Sequence, residues 1–245
     1  GFLEIVTLSD TLNAASVELG RVEALRRELM ANVSHDLRTP LSLIYSHAEM
    51  MHDFPAEITP DQTQVVMDET RRLSALVNDL LDLSKIENDL ESITSTHFSL
   101  TQCIEETAKR LAELLKNEGF DIRFIRDRDV FVNADETKMG RAFYNLLINA
   151  VNYSGDSRDI IVTQTMNEGR VRISITDHGE GIEEDDLPFI WDRYFKSGQS
   201  HKRAVIGTGL GLSIVRRIIE LHGGTYGVTS KVEQGSTFWF ELLID

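Results

Sequence analysis

The sequence predicts an α+β protein in two parts. The first is a helical hairpin, two helices per chain, that completes a dimeric antiparallel four-helix bundle by pairing with a second copy. The second is an α/β layer sandwich. Apolar residues recur at steps of three and four from Leu8 to Ile86, interrupted once around Pro55. Beyond the polar stretch at residues 88–96 the pattern changes to short strands interleaved with three helices, in mixed order. The length of 245 residues, with 41% hydrophobic content, allows one or two domains with real cores.

Charge and cysteine content narrow the function classes. A formal net charge of −15, from 40 acidic and 25 basic residues, argues against a nucleic acid or an anionic membrane surface as the main partner. A phosphate site here must be built locally, from backbone amides, a metal ion and a few basic side chains. The single cysteine, Cys103, excludes an internal disulfide and a cysteine metal cluster, and suits a reducing compartment. No stretch approaches the roughly 18 consecutive apolar residues of a membrane span. No signal peptide is read, and the sequence opens inside a helical pattern, as a piece of something longer would.

The first helix is expected to run to about Met51. Leu8, Leu12, Ala15, Leu19 and Val22 alternate steps of four and three, and a further step of three to Leu25 precedes Leu29. That extra three is a stammer, which overwinds a coiled coil locally, about three turns before His35. Around His35, the positions Leu29, Val33, Leu37, Leu41 and Ile44 share one stripe at roughly 100° per residue. His35, Thr39, Ser42 and Ser46 fall on the opposite ridge. Pro40 removes the N–H that would bond the carbonyl of Asp36. An exposed nucleophile, an adjacent carboxylate and a hydroxyl one turn on thus share a short segment. Residues 52–58 form the connection. Thr59-Pro60-Asp61-Gln62 then carries the signature of a capped helix start, and the second helix continues to about Glu87. Two such helices bury too little alone, so a homodimer is expected.

In the second part, residues 98–100 read as a short strand and 101–116 as a helix with Cys103 toward the core. Residues 120–125 and 130–133 look like a pair of strands. Asp135 caps a helix running to about Tyr153. Residues 159–166 and 170–176 alternate as a hairpin about a turn at 167–169. Residues 210–222 are helical and stop at Gly223-Gly224; 225–230 and 236–244 are the closing strands.

Three pieces of this part carry chemistry. Asn145, Asn149 and Asn152 stand at i, i+4 and i+7 on one helix face. Each costs roughly 0.5 kcal/mol against alanine in a helix, and an amide oxygen is a hard neutral ligand suited to Mg²⁺. The alternative is simple solvent exposure. The run Thr176-Asp177-His178-Gly179-Glu180-Gly181-Ile182 follows a strand. It is either an ordinary turn or a carboxylate placed to accept from the exocyclic amine of adenine, with the glycines making room for the ring. Gly207-Thr208-Gly209-Leu210-Gly211-Leu212 opens a helix as a phosphate cradle. It has neither the dinucleotide fingerprint spacing nor the lysine ending of a P-loop. Between the second and third pieces, residues 183–206 contain Trp191, Arg193, Tyr194, Phe195, Lys196, Lys202 and Arg203 and read as a lid.

The order of these pieces resembles the sensor histidine kinases of two-component systems. The asparagine helix, Asp-x-Gly-x-Gly-Ile, the aromatic and basic segment, and the Gly-x-Gly-x-Gly helix start match their N, G1, F and G2 boxes. Gly235-Ser236-Thr237 matches their terminal glycine element, and the His35 segment matches their phospho-acceptor box. The match covers roughly residues 20–245. The segment from Glu4 to Leu8, with Leu12-Asn13, is similar to the second helix of a HAMP linker. The resemblance implies a signalling helix at 1–20, a dimerisation and phosphotransfer domain at 21–95, and a Bergerat-type ATP-binding domain at 96–245.

It further implies ATP and Mg²⁺ as cofactors and a response regulator receiver domain as partner. The location it implies is the cytoplasmic portion of a bacterial membrane sensor. His35 would attack the γ-phosphate, Asp36 would orient its ring, and Thr39 would direct water in the reverse, phosphatase reaction. Asn149 would ligate Mg²⁺ and Asp177 would read adenine. Asn145, Asn152, Tyr153, Gly179, Gly181, Ile182, Arg193, Lys196, Gly207, Thr208, Gly209, Leu210, Gly211, Leu212 and Thr237 would complete the nucleotide site. Asn152 departs from the family's commoner basic residue. A second reading is an ATP-driven conformational machine of the same nucleotide fold, as in Hsp90, gyrase and mismatch-repair ATPases. Those proteins place an acidic general base near the metal asparagine, whereas Leu146 to Ile148 precede Asn149 here. A third is a non-catalytic scaffold.

Overall fold

The computed structural model describes residues 2–87, 93–192, 195 and 209–244, without the side chains of residues 2–15, 17–19, 21–26, 28, 29, 79 and 82–87. The chain forms two compact units, Gly1–Val77 and Asn78–Asp245.

In the first unit, α1 (Phe2–Asp53) runs continuously through Pro40, which is buried. A short 3-10 turn, Pro55–Glu57, leads into α2 (Pro60–Glu87). The start of α2 is a reciprocal capping box: Gln62 N–H donates to Thr59 Oγ1 at 3.3 Å, and Thr59 N–H donates to Gln62 Oε1 at 3.0 Å. Among the described side chains of this unit only Pro40 and Leu76 are buried. Val33, Leu37 and Ile44 of the apolar stripe are half-buried, and Leu41 is 57% exposed. The polar ridge of His35, Thr39, Ser42 and Ser46 is exposed along its length. The stammer lies on side chains outside the described residues.

In the second unit, β1 (Thr96–Ser99) and β3 (Phe131–Ala134) pair antiparallel in a two-stranded sheet. The main sheet has five strands in the order β2-β4-β5-β7-β6. These are β2 (Asp121–Ile125), β4 (Asp159–Asn167), β5 (Arg170–Thr176), β6 (Thr225–Lys231) and β7 (Gly235–Leu243). The β2–β4 pairing is parallel and the others are antiparallel. β2 and β3, adjacent in sequence, thus belong to different sheets. The hairpin β4–β5 turns where expected.

Three helices pack on one face: α3 (Leu100–Leu115), α4 (Glu136–Tyr153) and α5 (Gly211–Leu221). Ile104, Met139, Phe143, Leu146, Leu147, Ile214 and Val215 meet Val162, Ile173, Ile175 and Phe240, all fully buried. Each such side chain contributes about 1.5–3 kcal/mol by leaving water. One buried polar group is satisfied by its neighbours across the sandwich. Thr101 Oγ1 donates to Gln164 Oε1 at 2.8 Å and accepts from Val130 N–H at 2.9 Å, and Gln164 Nε2 donates to the Arg128 carbonyl at 2.8 Å. Cys103 is half-buried against the core; its burial, with Glu136 and Glu106 nearby, pushes its thiol pKa up to about 11. It is therefore protonated and unreactive at neutral pH.

Candidate functional site

His35 lies on the outer ridge of α1, with its side chain 78% exposed. Its Nδ1 is 3.4 Å from Asp36 Oδ1. A proton on Nδ1 donated to that carboxylate leaves the Nε2 lone pair as the nucleophilic position. No described residue holds Nε2. One turn on, Thr39 Oγ1 donates to the His35 carbonyl at 3.3 Å. That places a side-chain bond beside the ladder position that Pro40 leaves open. The Thr39 proton is thus committed, and its oxygen faces outward as an acceptor.

The second site is built where strand β5 ends and strand β7 begins, beside α4 and α5. Asp177, directly after β5, is only 2% exposed. Its Oδ1 accepts from the backbone N–H of Gly179 at 2.9 Å and of Ser236 at 3.3 Å. Its Oδ2 is buried without a hydrogen-bond partner. Burial pushes the carboxyl pKa up, against the two backbone donors that pull it down.

The loop after Asp177 is clamped against its neighbours. A Cβ on Gly179 would stand 1.7 Å from the Tyr153 carbonyl, and one on Gly181 (φ +73°) would stand 2.2 Å from the Lys231 carbonyl. Ile182 N–H donates to Ser230 Oγ at 2.9 Å, and the Thr176 and Thr237 hydroxyls are 2.9 Å apart. Asp177, Gly179, Gly181, Ile182, Thr237 and the Tyr153 backbone therefore form one constellation.

The phosphate-side residues gather about α4 and α5. Asn145 Nδ2 donates to the Gly211 carbonyl at 3.5 Å, joining α4 to the start of α5. Asn149 and Asn152 are half-buried along the same helix. Helix α5 opens after Gly209 and Leu210 with no side-chain cap on its first amides. The Leu210 side chain is wholly buried in the core, so its backbone alone can serve a ligand, while Leu212 is half-buried. Arg193, Tyr194, Lys196, Lys202, Arg203, Gly207 and Thr208 lie outside the described residues.

Two groups escaped the sequence reasoning. Ser236 supplies the second amide to Asp177, and Ser230 receives Ile182 while sharing its hydroxyl with Ser236 at 2.9 Å. Strand pairing in space decides both: the Gly235-Ser236-Thr237 motif marked the segment without showing that the Ser236 amide reaches Asp177, and Ser230 gave no signal.

Comparison with known proteins gives the family. Residues 134–245 match the family of histidine kinase-, DNA gyrase B- and HSP90-like ATPases, and residues 25–89 match the His kinase A phospho-acceptor domain. The catalytic domain of the histidine kinase ThkA is 32% identical, with 61% of this chain and 95% of that one covered and a TM-score of 0.53. The chain belongs to the sensor histidine kinases. The sensor protein kinase WalK of Staphylococcus saprophyticus is 36% identical over 92% of the chain, which spans 38% of that relative's length. ThkA in complex with the response regulator protein TrrA is 28% identical, with a TM-score of 0.71 over 89% of this chain and 61% of that one. The fold is also that of the Acinetobacter baumannii histidine kinase AdeS, at a TM-score of 0.68 and 22% identity, covering 86% of this chain and 98% of that one.

Proposed function

We propose that this kinase core binds ATP in its sandwich, phosphorylates itself on His35, and passes the phosphoryl group to an aspartate of a response regulator. The observation that carries the reading is His35 itself: an exposed imidazole whose Nδ1 faces Asp36. The nucleotide fits the second site, because Asp177 Oδ2 is a sealed acceptor lacking a donor. An exocyclic amine supplies that donor. The uncapped amides of α5 suit phosphate oxygens.

Asn149 would hold a Mg²⁺ ion, whose chemistry is to neutralise phosphate charge. His35 Nε2 forms the bond to the γ-phosphorus, the bond from that phosphorus to the bridging oxygen breaks, and ADP departs. Asp36 keeps the Nδ1 proton in place and offsets the positive charge that develops on the ring. Transfer to a regulator aspartate then restores neutral His35. A TrrA-like receiver domain is the proposed partner, since ThkA is seen with such a protein.

A second copy of the chain would cover the exposed apolar stripe of the hairpin. No helix among the described residues is long and apolar enough to cross a membrane; attachment to one through a sensor part is proposed from the similarity of the Glu4–Leu8 segment to a HAMP linker. Regulator dephosphorylation is proposed as a further activity, with the Thr39 oxygen accepting from the attacking water.

Incubation with γ-³²P-ATP should give acid-labile, base-stable label on the protein, and His35→Gln should abolish it while leaving ATP binding intact. Label retained in His35→Gln would overturn the acceptor assignment.

A further inference from the structure

Two side-chain hydrogen bonds tie α4 to α5, one toward each end of α5. Asn145 Nδ2 donates to the Gly211 carbonyl at 3.5 Å, where α5 begins. At the far end the backbone N–H of Asp135, the cap of α4, donates to His222 Nε2 at 3.1 Å, across 87 residues of sequence. The helices therefore run antiparallel between the ties. The ties stand roughly 15 Å apart along α4 and roughly 16.5 Å apart along α5, at ~1.5 Å per residue.

His222 is set for this bond by the other side of its ring. Its Nδ1 lies 2.7 Å from the Ile218 carbonyl, one turn back. A carbonyl only accepts, so the ring proton is on Nδ1 and Nε2 presents its lone pair to Asp135.

The Asp135 amide needs that acceptor. The N–H of a capping residue is commonly taken by a Glu or Gln three positions on, but Lys138 stands there and has nothing to accept with. The Lys138 ammonium turns to Asp135 Oδ2 at 3.4 Å instead. Asp135 Oδ1 accepts from the Lys138 amide and Oδ2 from the Thr94 amide, each at 3.1 Å. Asp135 is buried, so a remote imidazole supplies what the local sequence does not.

We infer that His222 is a positioning residue for the phosphate side of the nucleotide site, an inference that rests on the ATP-binding reading above. With ties at both ends, α5 resists sliding along α4. Its first amides thereby keep their place relative to Asn149, one turn beyond Asn145. The adenine end does not depend on this register, because Asp177 is held by Gly179 and Ser236. Loss of the His222 tie therefore weakens contacts to phosphate and spares contacts to adenosine.

The test compares affinity for Mg·ATP, by calorimetry, with affinity for adenosine, by NMR titration, in the 245-residue chain. His222→Asn keeps a donor for the Ile218 carbonyl but is too short to reach Asp135. It should weaken ATP binding about threefold to tenfold and leave adenosine binding unchanged. His222→Gln returns an acceptor at the reach of Nε2 and should restore ATP affinity to within about twofold of the parent. Adding Lys138→Gln to His222→Asn gives the cap its ordinary local acceptor and should leave ATP binding weak. Unchanged ATP affinity in His222→Asn, or equal losses for ATP and adenosine, would overturn the inference. So would recovery of ATP affinity by Lys138→Gln, which would reduce His222 to a helix cap. A parent chain that binds no ATP would reject the ATP-binding reading and this inference together.

Discussion

The two halves of this protein treat apolar surface in opposite ways. The sandwich hides it: Phe143, Leu146, Ile173 and Phe240 are fully buried, and even its interior hydroxyls and amides are paired. The hairpin leaves it bare, with Leu41 at 57% and Leu81 at 53% exposed and only Pro40 and Leu76 buried among its described side chains. A sheet covered by three helices closes a core within one chain. Two helices cannot, because each has a neighbour along one stripe alone. The chemistry divides along the same line. The nucleotide-type site depends on a sealed carboxylate, whereas the acceptor histidine depends on exposure.

Removing the sealed charge should have the largest effect. Asp177→Asn keeps an acceptor for the amides of Gly179 and Ser236 but loses the charged acceptor, so ATP affinity should fall roughly 10–100-fold by calorimetry. Stability should move the other way. The folded-state pKa of Asp177 is raised by burial, so its favourable protonated form is lost as pH rises through that value. At pH 7–8 the variant should therefore melt at a higher temperature than the parent. The advantage should vanish toward acid pH. A lower melting point at pH 8 would mean that the carboxylate stabilises the empty pocket.

The hairpin should respond to changes that the sandwich ignores. Leu41→Glu places a charge on the bare stripe and should weaken self-association roughly 10–100-fold, the loss from failing to bury one leucine. Sedimentation across a dilution series measures this, and ATP affinity should stay unchanged. A monomer–dimer balance equal to that of the parent would remove Leu41 from the proposed interface.

A smaller effect is expected on the acceptor ridge. Thr39→Ala deletes the outward oxygen and the bond to the His35 carbonyl. It should slow regulator dephosphorylation by about tenfold, a typical loss of positioning, and leave autophosphorylation near the parent rate. Equal losses in both assays would assign Thr39 to support of the helix alone.

The smallest change concerns Asn152. A lysine at this half-buried position adds a charge-assisted contact worth about tenfold at most. Asn152→Lys is expected to tighten ATP binding or speed single-turnover labelling by up to about that factor. No gain in either would mean that the phosphates are neutralised from elsewhere.

Several features were legible from residue order because they are local. The Thr59–Gln62 capping box, the Asp135 helix cap, the turn after Asn167 and the exposed ridge carrying His35 follow from spacing within a few residues. The motif order also announced the histidine kinase family, since each box must follow its own strand or helix. Where β2 and β3 pair was not legible. Both read as strands, but the partner of each is remote, β4 in one sheet and β1 in the other.

The sequence by itself determined the elements, their caps, the surface on which His35 stands and the identity of Asp177. Tertiary structure alone decided that Asp177 is sealed, with one oxygen held by Gly179 and Ser236 and the other left without a donor. Desolvation and hydrogen-bond satisfaction depend on neighbours tens of residues away in the chain, and only strand pairing brings those neighbours within reach.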